Sequence, residues 1–105
     1  MYQHIYERGS GALNYTLDAG GRGQLEEVRL HLNAAGGAGS FTVTLQSGES
    51  SEHNIVVDTQ DMSSATDEHY QPTRPLPFNA GDKLVFAWAN ANGRQWGLEV
   101  IFVAG

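Results

Sequence analysis

Histidines and a run of carboxylates are the residues of this 105-residue chain whose types suit chemistry. His4, His31, His53 and His69 fall on separate segments, and no two have the i, i+4 spacing by which one helix face presents a pair of zinc ligands. A sheet can still gather two of them, but the plainer assignment is to polar faces, and His31 falls on the outward side of its segment. Asp58, Asp61, Asp67 and Glu68 offer oxygens of the kind that hard cations bind. Their spacing lacks the central glycine and terminal glutamate of the calcium-binding loop. They read as a solvated loop whose charges cap turns or pair with Arg74. Among the serines, Ser10 stands in Gly9-Ser10-Gly11, which lacks the outer frame and strand-to-helix context of a nucleophile elbow. Gly36-Gly37-Ala38-Gly39 carries no phosphate-loop lysine and reads as a turn. No catalytic residue, metal ligand or cofactor is expected, and the chain is expected not to be an enzyme.

The aromatic residues allow a different chemistry. Trp88, Trp96, Tyr70, Tyr15 and Phe86 on one sandwich face would make a stacking platform for pyranose rings, the basis of a carbohydrate-binding alternative. Parity opposes it: Trp96 alternates in step with Leu98, Val100 and Phe102, which makes it a core side chain.

Period-two patterning predicts the elements that must position these residues. Leu13, Tyr15 and Leu17 alternate with polar neighbours, as do Val28, Leu30 and Leu32 and then Phe41, Val43 and Leu45. The second and third runs, joined by the glycine-rich turn 34–39, are expected to form a hairpin. Ser47–Glu52 is a polar loop by composition, and Ile55, Val56 and Val57 make a short strand. The acidic stretch 59–68, with Met62 its one sizeable apolar residue, is expected as a long loop or a loop holding one helical turn. Pro72, Pro75 and Pro77 cannot donate to a ladder, so 72–77 belongs on an edge or outside the sheet. Its other assignment is a rigid connector crossing between sheets. Asn79-Ala80-Gly81-Asp82 makes a tight turn. Segments 84–89 and 96–103 are apolar on both faces, which places them centrally, and Asn92-Gly93 between them is a strong hairpin signal.

Short strands without an amphipathic helix predict an all-β fold: a single-domain antiparallel β-sandwich with jelly-roll connectivity, an immunoglobulin-like order being the alternative. The sandwich is assigned to residues 12–105. Residues 1–11 are either an N-terminal arm, freed by Gly9-Ser10-Gly11 to lie on a neighbour, or the domain's own first edge strand.

Composition excludes several partners. The formal charge of -6 opposes binding to nucleic acid or anionic lipid. Absence of cysteine excludes disulfides and thiolate metal sites. The N-terminal residues lack the basic start and apolar stretch of a secretion signal, and no window approaches the roughly 18 apolar residues of a membrane span. A soluble protein with no membrane partner is expected.

Gln60-Asp61-Met62, Gln71-Pro72-Thr73-Arg74-Pro75, Gly81-Asp82-Lys83-Leu84, Asn90-Ala91-Asn92-Gly93 and Trp96-Gly97-Leu98-Glu99 together resemble small virion proteins of tailed bacteriophages. These are capsid decoration, or cement, proteins built on a compact, often jelly-roll, β-sandwich. The resemblance spans 25–103 and rests on turns and strand patterning, without a catalytic signature. It implies a homo-oligomer, dimer or trimer, assembled in the host cytoplasm. The oligomer would bind the major capsid protein on the outer capsid surface of the virion and clamp neighbouring capsomers. Repetition of the docking patch by symmetry strengthens such a clamp. The residues expected to make capsid or oligomer contact are Tyr2, Ile5 and Tyr6 of the N-terminal segment, Met62 and Tyr70 of the long loop, and Arg74 among the prolines. A tail-tube or adaptor component is a further possibility and differs in lying at the portal axis.

Overall fold

The computed structural model describes residues 2–104 and contains strands but no α-helix among them. The strands are β1 (Tyr2–Gly9), β2 (Leu13–Leu17), β3 (Gly23–Leu32), β4 (Ser40–Gln46), β5 (Ile55–Asp61), β6 (Asp67–Tyr70), β7 (Leu76–Phe78), β8 (Lys83–Trp88) and β9 (Trp96–Ala104). They form two antiparallel sheets, ordered β1-β9-β3-β6, with β7 also on β3, and β2-β8-β4-β5. Pairing is nested: β1 with β9, β2 with β8, β4 with β5, and β3 with the broken strand β6/β7. That nesting, divided between two facing sheets, is the jelly roll.

The core follows from alternation. Leu25, Val28, Leu30 and Leu32 of β3 and Leu98, Val100 and Phe102 of β9 are buried beneath one sheet. Phe41 and Val43 of β4 and Leu84, Phe86 and Trp88 of β8 meet them from the other. Burial of this apolar surface, at roughly 25 cal/mol per Å², supplies the main favourable term of folding.

Neither expected hairpin forms. β3 and β4 belong to different sheets, as do β8 and β9, so 33–39 and 89–95 pass over the end of the sandwich. The central placement of β8 and β9 does hold, β8 lying between β2 and β4 and β9 between β1 and β3. Their apolar faces meet across the core rather than side by side in one sheet. Turn residues report backbone conformation, and Asn90 (φ 53°) and Gly93 (φ 62°) do adopt left-handed values, but that conformation serves a corner as well as a hairpin.

Asn90 is the buried polar residue of that corner. Its amide donates to the carbonyls of Ser10, Gly11 and Arg94, while its Oδ1 accepts from the Arg94 N–H at 2.7 Å. One side chain thereby ties the β8–β9 connection to the β1–β2 connection.

The stretch 59–68 is also more ordered than expected. β5 runs to Asp61 and β6 begins at Asp67, leaving a short connection; the single 3-10 turn lies instead at Ser51–His53. The proline segment joins β6 to β7, both on β3, so it bulges from one sheet and does not cross between the two. β7 pairs at the sheet margin with Gly23, Gln24 and Leu25, where Pro77 sits opposite Gln24.

Candidate functional site

Tyr2–Gly9 forms edge strand β1, which sends Tyr2, His4, Tyr6 and Arg8 to the outer face of its sheet and Ile5 inward, half-buried against the core. Register continues these rows across the face. Tyr6 stands beside Glu99, then Arg29, then His69; Arg8 stands beside Gly97, then His31, then Asp67.

The side chains of this face are tied in pairs. His4 Nε2–H donates to Glu99 at 2.8 Å, the Tyr6 hydroxyl donates to His4 Nδ1 at 3.3 Å, and the two rings stack with centroids 4.2 Å apart. Arg29 donates to Glu27 at 2.8 Å and to Glu99 at 3.4 Å, and His69 Nε2–H donates to Glu27 at 2.6 Å. His31 Nδ1–H donates to Asp67 at 2.5 Å. The Arg29 hydrogen bond holds the Glu27 carboxyl below its ordinary range despite some opposing burial, and the His31 hydrogen bond does the same for Asp67. Exposed pairs of this kind contribute little stability each, and their main effect is to fix side-chain positions on an open face.

The sites expected from sequence fare differently. Tyr2 and Tyr6 are 69% and 68% exposed. Arg74 is exposed beside Pro75 and Pro77, and no carboxylate pairs with it among the described residues. Tyr70 is half-buried against the core. Met62 is a correction: it is fully buried and offers no contact surface. Its N–H donates to the Gly39 carbonyl and its own carbonyl accepts from the Gly36 N–H, which folds the β5–β6 connection onto 36–39 and inserts the side chain. The aromatic platform is likewise dispersed. Trp88 and Phe86 are buried, while Trp96 is half-buried at the end of the sandwich with its indole N–H donating to the Gly11 carbonyl at 2.9 Å.

Other exposed features escaped the sequence pattern. Ile55 and Val56, at the start of edge strand β5, are 57% and 53% exposed; as neighbours in a strand they point to opposite faces, and neither face is covered there. The signal for them was the unbroken apolar run in a strand next to polar loops. Pairs such as His4 with Glu99 join opposite ends of the chain and leave no sequence signal. Gly97 did leave one, a glycine at an outward position inside a strand.

At the opposite flank, Asp58 of β5 and Glu68 of β6 approach across the seam between the sheets. Asp58 sits level with Val43 and Glu68 level with Leu30, both on inward-facing positions. Burial, reinforced by the Asp58 carboxylate, pushes the Glu68 carboxyl up to about 7, and burial together with Asp58 also raises the Tyr70 phenol. No group of three or more His, Cys, Asp or Glu able to hold a metal ion occurs among the described residues. Among the described residues, no helix is long and apolar enough to cross a membrane.

No protein-family model matches the chain, and no curated protein matches it in sequence. Solved structures do. A mitogen derived from Yersinia pseudotuberculosis shares 10% identity at a TM-score of 0.52, covering 100% of this chain and 86% of its own. PirA shares 8% identity at 0.51, covering 95% and 92%. A chain of the acid-stable capsid of Helicobacter pylori bacteriophage KHP30 shares 15% identity at 0.49, covering 98% and 93%. At such identities the likeness to the first two is one of fold, and the chain is an all-β sandwich by that comparison as by its own topology.

Proposed function

We propose that this chain is a non-enzymatic structural protein of a tailed-phage virion: a homo-oligomeric decoration protein that docks on the outer capsid surface and holds neighbouring capsomers together. The observation that carries this reading is the placement of the large exposed apolar side chains among the described residues, all of them on edge strands: Tyr2 and Tyr6 on β1, Ile55 and Val56 on β5. β1 flanks β2 at one side of the sandwich and β5 flanks β6 at the other. Unlike adhesive surfaces on opposite flanks suit head-to-tail contacts that close into a ring, and a ring repeats its shell-binding patch. The sequence resemblance to decoration proteins agrees with this role.

Co-sedimentation of purified protein with stripped virion shells tests the proposal. The unmodified chain is expected to pellet with shells, and a Tyr2→Ser/Tyr6→Ser variant with an unchanged melting midpoint is expected to remain in the supernatant. Failure of the unmodified chain to pellet contradicts the proposal.

A further inference from the structure

We infer that the row Arg8, Gly97 and His31 on the outer face of the β1-β9-β3 sheet is a binding site for a saccharide that carries a carboxylate. Register sets the three residues side by side on successive strands. Strands lie about 4.8 Å apart, so Arg8 and His31 stand roughly 10 Å from each other with no side chain between them. The resulting hollow measures about 620 Å³, within the range of small-molecule sites. Gly97 is its floor, and a Cβ built there would meet nothing within 4 Å, so the space is real and the fold does not require the glycine.

The rim matches a sugar acid group by group. Arg8 has no carboxylate partner among the described residues and offers its guanidinium fork to a carboxylate. Across the gap, Asp67 engages His31 Nδ1, so Nε2 is the ring nitrogen left to meet a sugar hydroxyl. Asn33 accepts the Gln95 N–H at 3.0 Å through Oδ1, which fixes its amide and leaves the NH₂ to donate. Trp96 closes one wall. Its ring, on the inward side of β9, is pinned through the indole N–H to Gly11 and lies against Gly9, which holds that end of the hollow rigid. The free guanidinium of Arg8 and the polar rim select an anionic, hydroxyl-rich ring over an apolar one locally, against the chain's overall charge of -6. Saccharide binding here does not require shell docking, although Arg8 shares the outer face of β1 with Tyr2 and Tyr6.

The test is an amide-resolved NMR titration with galacturonate, with galactose and inorganic phosphate as controls. Shift changes confined to Gly97, Arg8, His31 and the Trp96 indole N–H are expected, with galacturonate at least about ten-fold tighter than galactose. Arg8→Gln should reduce galacturonate to the affinity of galactose. Gly97→Val, which fills the hollow, should weaken binding by at least about ten-fold with the melting midpoint unchanged. Absence of localised shifts, equal binding of phosphate, or full binding by folded Gly97→Val overturns the inference.

Discussion

Asp58 and Glu68, on the edge strands of opposite sheets, form a carboxyl pair that closes the seam of the sandwich, and one oxygen of Asp58 is buried there without a hydrogen-bond partner. Burial and the neighbouring Asp58 carboxylate place the Glu68 carboxyl at about 7 in place of its ordinary 4.5. The protonated form therefore favours the folded chain. Its stabilisation is complete below pH 4.5 and is lost as pH rises through about 7. Glu27, Asp61, Asp67 and Asp82, whose carboxyls are lowered by hydrogen bonds, act oppositely: their stabilisation is present above their ordinary range and is lost as pH falls through the lowered values. Melting midpoints should accordingly be higher near pH 5 than near pH 8 and should fall again in stronger acid. Asp58→Asn is expected to flatten the decline between pH 5 and 8, and an unchanged slope would show that the pair does not cause it.

The Asn90 corner gives a sharper stability prediction. Asn90→Ala removes the bonds to Ser10, Gly11 and Arg94 and places a Cβ-bearing residue without a compensating amide at φ 53°. Its expected cost is about 2 to 4 kcal/mol by urea unfolding. Asn90→Gly keeps the conformation and loses only the bonds, so it should fall between Ala and the unmodified chain.

How much of this is legible in the sequence differs between elements. Alternation alone places the core positions of the strands correctly: Val28, Leu30, Leu32, Phe41, Val43, Leu84 and Phe86 are all buried, because period-two burial is a local property of a strand. Partner choice is not local. Asn92-Gly93 predicts a turn and cannot say that β8 and β9 part to different sheets. Met62 is misplaced by sequence because its burial depends on backbone bonds to 36–39, which composition cannot show. At the candidate site, His31 is rightly placed outward by parity, but its row with Arg8 and Gly97 exists only once β1 and β3 flank β9.

Met62→Ala separates packing from docking. As a fully buried side chain it should cost about 2 to 5 kcal/mol on truncation. At a temperature where the variant stays folded, co-sedimentation with shells should be unchanged. Lost docking by folded protein would restore Met62 as a contact residue.

Light scattering addresses the oligomer. The purified chain is expected at the mass of a dimer or trimer, and Tyr2→Ser/Tyr6→Ser or Ile55→Ser/Val56→Ser should each shift it to the 11.4 kDa monomer without lowering the melting midpoint. Equal masses for all three proteins would remove the edge strands from the contact.

Electron microscopy of the virion that carries this chain tests the decoration role most directly. Density matching the two-sheet sandwich, repeated over the outer shell with β1 or β5 against capsomers or neighbouring copies, is the predicted result. Density confined to the portal axis, or none on the particle, would contradict it.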